Sequence, residues 1–151
     1  MIMKAKLISS NSELEFFSVD VSTEMALPYF HDGVKAGFPS PADDYIDVAI
    51  DLNKELVKNP SSTFYARVRG NSMQDAGINE GDILLIDKSI EPRDNQIAVC
   101  FIDGEFTVKR MRMAKGRVML VPANEEFPVI LIESENDFKI WGIVLYVIKK
   151  M

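Results

Sequence analysis

The run Gln96-Ile97-Ala98-Val99-Cys100-Phe101-Ile102 leads into Asp103-Gly104 and then Glu105-Phe106-Thr107-Val108-Lys109-Arg110-Met111-Arg112-Met113. Both runs are rich in β-branched and aromatic residues, and Asp-Gly between two such runs signals a two-residue β-hairpin. In the second run Phe106 and Val108 point one way, and Thr107, Lys109 and Met111 the other. A lysine sharing a strand face with a methionine is an unusual placement for a solvated ammonium.

The same grammar extends in both directions. Val118 to Val121, Val129 to Ile132 and Lys139 to Ile148 read as strands after the hairpin. Before it, Asp82 to Asp87 encloses a short apolar strand. Thr63 to Val68 alternates Phe64, Ala66 and Val68 against Tyr65 and Arg67, the period of a half-buried strand. Asp51 ahead of Leu52-Asn53-Lys54-Glu55-Leu56-Val57-Lys58 suggests a short capped helix, stopped by Asn59-Pro60. Many short strands at this spacing predict a mostly β fold, a compact barrel or sandwich. Trp141 and Tyr146 are read as core or interface aromatics.

The first 35 or so residues differ. Met1 to Ile8 suits a short strand and Ser9-Ser10-Asn11-Ser12 a polar break, whereas Phe16-Phe17, Leu27-Pro28-Tyr29-Phe30 and Val34 keep no sustained period. Such a segment is expected to form an arm lying over another surface, with one or two extra edge strands of the main body as the alternative. Gly37 to Ala42 holds two prolines and favours an extended, exposed chain.

Composition narrows the function. The 151 residues suffice for one domain with a core and a modest appendage. With 47% hydrophobic residues the chain is globular, and a net charge of −6 argues against direct binding to duplex DNA. Cys100 is the only cysteine and His31 the only histidine. No intrachain disulfide is therefore possible, a reduced cytoplasmic setting fits, and a Ser-His-Asp triad would have to pass through His31. Asp32, Asp43, Asp44 and Asp47 are spread too irregularly for a metal cage. No phosphate loop or dinucleotide fingerprint appears, so neither cofactor nor metal is expected. The N-terminus lacks the apolar core of a signal peptide, and no run is long enough for a membrane helix.

Ser72 and Lys109 carry the chemistry. Gly70 and Asn71 end the strand before them, and Ser72-Met73-Gln74-Asp75-Ala76 reads as one helical turn closed by Gly77. Ser72 would then sit at a helix N-terminus, where backbone N–H groups stabilise an oxyanion. A serine attacks a carbonyl when a base removes its proton. Lysine is such a base only when neutral, which for lysines generally means a fall from about 10.4 towards roughly 7–8 through burial. On this reading Lys109 is held uncharged in a dry slot. Taken alone, Ser72 reads sooner as a helix N-cap than as a nucleophile, and Lys109 sooner as an edge-strand surface charge than as a base.

Several patterns occur together in one order: Gly70-Asn71-Ser72-Met73, Gly77-Ile78-Asn79-Glu80-Gly81-Asp82 and Asp103-Gly104-Glu105-Phe106-Thr107-Val108-Lys109. They resemble the signature of the LexA/UmuD self-cleaving serine proteases. Upstream, Ala36-Gly37-Phe38-Pro39-Ser40-Pro41-Ala42 resembles the family's cleavage segment, with Ala36-Gly37 as the scissile bond. The resemblance runs from about Ala36 to the C-terminus.

It implies a Ser72/Lys109 dyad, an oxyanion hole from the backbone amides of Asn71 and Ser72, and an arm, residues 1–36, released from a peptidase-like domain, residues 37–151. It further implies a homodimer, a RecA filament as activator and a UmuC-type Y-family DNA polymerase served by the processed form. With only 36 residues before the cut, a DNA-binding repressor domain is not expected there. The chain between Gly37 and Ser72 spans up to roughly 100 Å when extended, so cleavage within one chain or across a dimer is open. A non-catalytic interaction module on the same fold is the competing expectation.

Overall fold

The structure, a computed structural model, describes residues 7–10, 13–22, 26–30 and 46–151. The strands are β1 (Leu7–Ser10), β2 (Leu14–Ser18), β3 (Ala26–Phe30), β4 (Ile46–Asp51), β5 (Thr63–Val68), β6 (Ile83–Asp87), β7 (Ile97–Ile102), β8 (Glu105–Ala114), β9 (Arg117–Val121), β10 (Ile130–Leu131) and β11 (Phe138–Ile148). One short helix, α1 (Leu52–Leu56), follows β4, with the Asp51 carboxylate accepting from Asn53 N–H at 3.0 Å.

The mostly β expectation holds. Among the described residues, nine strands form one sheet in the order β1-β2-β5-β6-β11-β7-β8-β9-β10, and β3 pairs with β4 separately. Every pairing is antiparallel. The β7–β8 hairpin closes where its sequence places it, with Ile102 opposite Glu105 and positive φ at both Asp103 (47°) and Gly104 (90°).

The N-terminal strands bear out the alternative, extra edge strands of the main body, in place of an arm resting on another surface. β2 pairs along β5, with Leu14 opposite Val68 and Ser18 opposite Phe64, and β1 adds outside it. The missed signal lies in Leu14 and Phe16, both buried and two residues apart. The five residues of β2 were too short a stretch for period 2 to stand out.

The sheet rolls on itself. Adjacent strands lie about 4.8 Å apart, so β2 and β8, five steps apart in the sheet, would be about 24 Å apart if it were flat. Yet the Phe16 and Phe106 rings stand 4.8 Å centroid to centroid, with Trp141 4.8 Å from Phe16. Inside the roll lie Leu14, Phe16, Ala66, Val68, Met73, Ile78, Leu84, Ile86, Val99 and Val108. A second cluster, Ala98, Cys100, Met111, Leu120 and Ile143, covers the other face of β7 and β8. This explains why β7 reads as an unbroken apolar run. β11 bends through register shifts between Ile140 and Gly142 and between Val144 and Tyr146. A Cβ on Gly142 would lie 2.6 Å from the Ile86 side chain, so glycine lets these strands approach.

Candidate active site

Ser72 enters the site from the loop after β5. Gly70 takes a left-handed φ of 86°, which turns the chain out of the strand. Met73 and Ile78, each 1% exposed, anchor the loop in the core on either side of a 3₁₀ turn, Gln74–Ala76, that Gly77 closes at φ 80°. The expected helical turn starting at Ser72 is thus corrected. The turn is three residues long and its N-cap is Met73, so no helix macrodipole points at Ser72.

A different segment fixes the loop instead. Ala123 N–H donates to Ser72 O at 2.9 Å, Asp75 N–H donates to Ala123 O at 2.8 Å, and Asn124 Nδ2 donates to Asn71 O at 2.9 Å. Asn124, 6% exposed, therefore sets the orientation of the Asn71–Ser72 peptide. Sequence reasoning missed it because Pro122-Ala123-Asn124 reads as an ordinary turn.

Lys109 comes from β8, four strands away from β5 in the sheet, and the roll brings the two together. Lys109 Nζ lies 3.0 Å from Ser72 Oγ, with Ser72 7% and Lys109 5% exposed. Nζ also donates to Thr107 Oγ1 on the same strand face and to Val108 O at 3.1 Å. Asn71 and Ser72 share the site, and both line an open cleft of about 300 Å³ with Gly70, Lys109, Phe127 and Pro128. Ala36, Gly37 and His31 lie outside the described residues.

One carboxylate was not anticipated. Glu13, immediately before β2, accepts from Ser72 Oγ at 3.0 Å and from Thr107 Oγ1 at 2.7 Å, and it forms an ion pair with Lys109 Nζ at 3.3 Å. The slot around Lys109 is buried, but it contains a charge as well as apolar walls. Cys100, opposite Thr107 across β7 and β8, is fully buried. Burial pushes its thiol up to about 12, partly countered by the Lys109 charge, so it is no competing nucleophile. Among the described residues no helix is long and apolar enough to cross a membrane.

A serine hydroxyl and a lysine amine thus stand in contact at the edge of a cleft on a rolled antiparallel sheet. Residues 28–145 match the Peptidase S24-like family, and the chain belongs to that family. It is 39% identical to protein MucA of Salmonella typhimurium over 132 residues, 87% of this chain and 90% of MucA. Protein ImpA of Salmonella typhimurium is 40% identical over 123 residues, covering 82% of this chain and 83% of ImpA. The LexA repressor of Paracidovorax citrulli is 34% identical over 116 residues, 77% of this chain and 51% of that repressor.

Proposed function

We propose that this protein cuts its own chain between Ala36 and Gly37, with Ser72 as nucleophile and Lys109 as general base. The observation that carries the reading is the 3.0 Å contact between two buried side chains, Ser72 Oγ and Lys109 Nζ. Lys109, as the free amine, takes the hydroxyl proton as Ser72 Oγ bonds to the Ala36 carbonyl carbon. The backbone amides of Asn71 and Ser72 stabilise the oxyanion. Lys109 then gives the proton to the Gly37 nitrogen as the peptide bond breaks. Water hydrolyses the Ser72 ester, leaving a carboxylate on Ala36 and restoring the hydroxyl. Small residues on both sides of the bond suit an open cleft of this size.

The products are residues 1–36 and 37–151. We take the longer one to act in mutagenesis after DNA damage, as a homodimer serving a Y-family polymerase of the UmuC type, with cleavage stimulated by RecA filaments. The family membership and the net charge of −6, unsuited to gripping duplex DNA alone, support this role. The partly exposed apolar run Leu145 to Ile148 on β11 supports a protein-binding surface. A second reading, a binding module that does not cut, draws on Glu13 filling the site.

The test is incubation of the purified full chain at rising pH, with and without RecA filaments on single-stranded DNA, followed by intact-mass measurement. Two fragments split after Ala36, formed faster at higher pH, are expected. An uncut chain under every condition would leave the binding module.

A further inference from the structure

We infer that Glu13 is a latch that holds the Ser72/Lys109 pair closed, an inference that rests on the reading of that pair as nucleophile and base. The geometry around Ser72 Oγ is the starting point. An attacked carbonyl carbon must come within roughly 3–3.5 Å of that oxygen. A Glu13 carboxylate oxygen already lies 3.0 Å from it, in the cleft that a substrate peptide would enter.

The hydrogen bonds also run the wrong way for attack. Ser72 donates its hydroxyl hydrogen to Glu13, and Lys109 donates to Ser72. The Glu13–Lys109 ion pair uses the ammonium form, which has no lone pair to take a proton. General-base catalysis needs the reverse order, with Ser72 donating to a neutral amine. Glu13 therefore blocks both the space and the proton transfer.

The latch is held by backbone as well as by its carboxylate. Arg69 N–H donates to Glu13 O at 2.6 Å, Leu14 is fully buried opposite Val68, and Arg69 pairs with Glu15. Lifting Glu13 requires peeling the start of β2 from the end of β5 at Val68, only four residues upstream of Ser72. Thr107 completes the clasp by donating to the second carboxylate oxygen at 2.7 Å. The Glu13 side chain keeps 22% exposure, so its carboxylate borders solvent on one side. Glu13 also lies on the 1–36 side of the proposed cut, so cleavage would sever the latch from the site it closes.

Two measurements on the full chain separate this inference from the reading beneath it. The labelling rate of Ser72 by a fluorophosphonate decides the latch, and the rate of cutting after Ala36 decides the self-cleavage reading. In Glu13→Gln and Glu13→Ala, with far-UV circular dichroism matching the parent, labelling should rise about tenfold or more. Faster labelling with no cutting keeps the latch and removes the self-cleavage reading. Labelling no faster than the parent's in both folded variants overturns the latch, whether or not the chain cuts itself.

Discussion

Asn124 shows how much of the site depends on a side chain that touches no reacting atom. Its amide donates to Asn71 O, while the adjacent Ala123 exchanges backbone hydrogen bonds with Ser72 and Asp75. Asn71 O also accepts from Gln74 N–H at 3.2 Å, so losing the Asn124 bond costs about 0.5–1.5 kcal/mol, the net worth of one hydrogen bond. It also frees the Asn71–Ser72 peptide to rotate, and a misplacement on the order of 1 Å at a reacting group costs roughly a hundredfold in rate. Asn124→Ala is accordingly expected to stay folded, with a lower urea midpoint, and to cut itself about ten- to a hundredfold more slowly than the parent. Cutting at the parental rate would remove Asn124 from the site. Ser72 and Lys109 were legible as candidates from their flanking motifs. Asn124 and Glu13 were not, because an isolated asparagine in a turn and a glutamate before a short strand have many commoner uses.

Among the elements, β6 ends in a carboxylate that fastens the turns on both sides of it. Asp87, 1% exposed, accepts from Asn59 Nδ2 at 2.8 Å, Ser62 Oγ at 2.8 Å, Ser89 N–H at 2.8 Å and Ser89 Oγ at 2.6 Å. Burial pushes the Asp87 carboxyl up, but the hydrogen bonds from Asn59, Ser89 and Ser62 outweigh it and hold the group below its ordinary value of 3.8. A depressed carboxylate stabilises the fold fully at pH values well above 3.8, and the contribution disappears as pH falls below that value through the folded-state one. Asp87→Asn should lower stability at pH 7 by about 1–3 kcal/mol. It should also flatten the acid-side decline, as urea midpoints at pH 7 and pH 3 would reveal. An unchanged acid decline would show that other carboxylates govern it. The elements from β5 onward were the most readable part of the chain. Asp103-Gly104 fixed one hairpin, and the Asp51 cap fixed the start of α1. β2 was hard to read because five residues cannot establish a period, and its place is decided by pairing with β5, far along the chain, while β1 pairs in turn with β2.

At the scale of the whole molecule, the roll of the sheet is what makes a site. Ser72 follows β5, Lys109 lies on β8, and Glu13 precedes β2; in a flat sheet Lys109 would stand about 19–24 Å from the other two. Curvature from the β11 bends and the close Gly142–Ile86 approach draws them into hydrogen-bonding range. A strand count predicts a mostly β body, but no residue pattern states how far a sheet will curl, so the distances within the site were not readable from sequence. The proposed chemistry depends on two groups working as one unit, and such groups show strongly non-additive losses. The most direct measurement is therefore the time course of fragment formation for the parent, Ser72→Ala, Lys109→Ala and the double variant, all confirmed folded. Each single variant should fall to the same floor and the double variant no lower. Continued cutting after Ala36 in either single variant at near the parental rate would contradict the account.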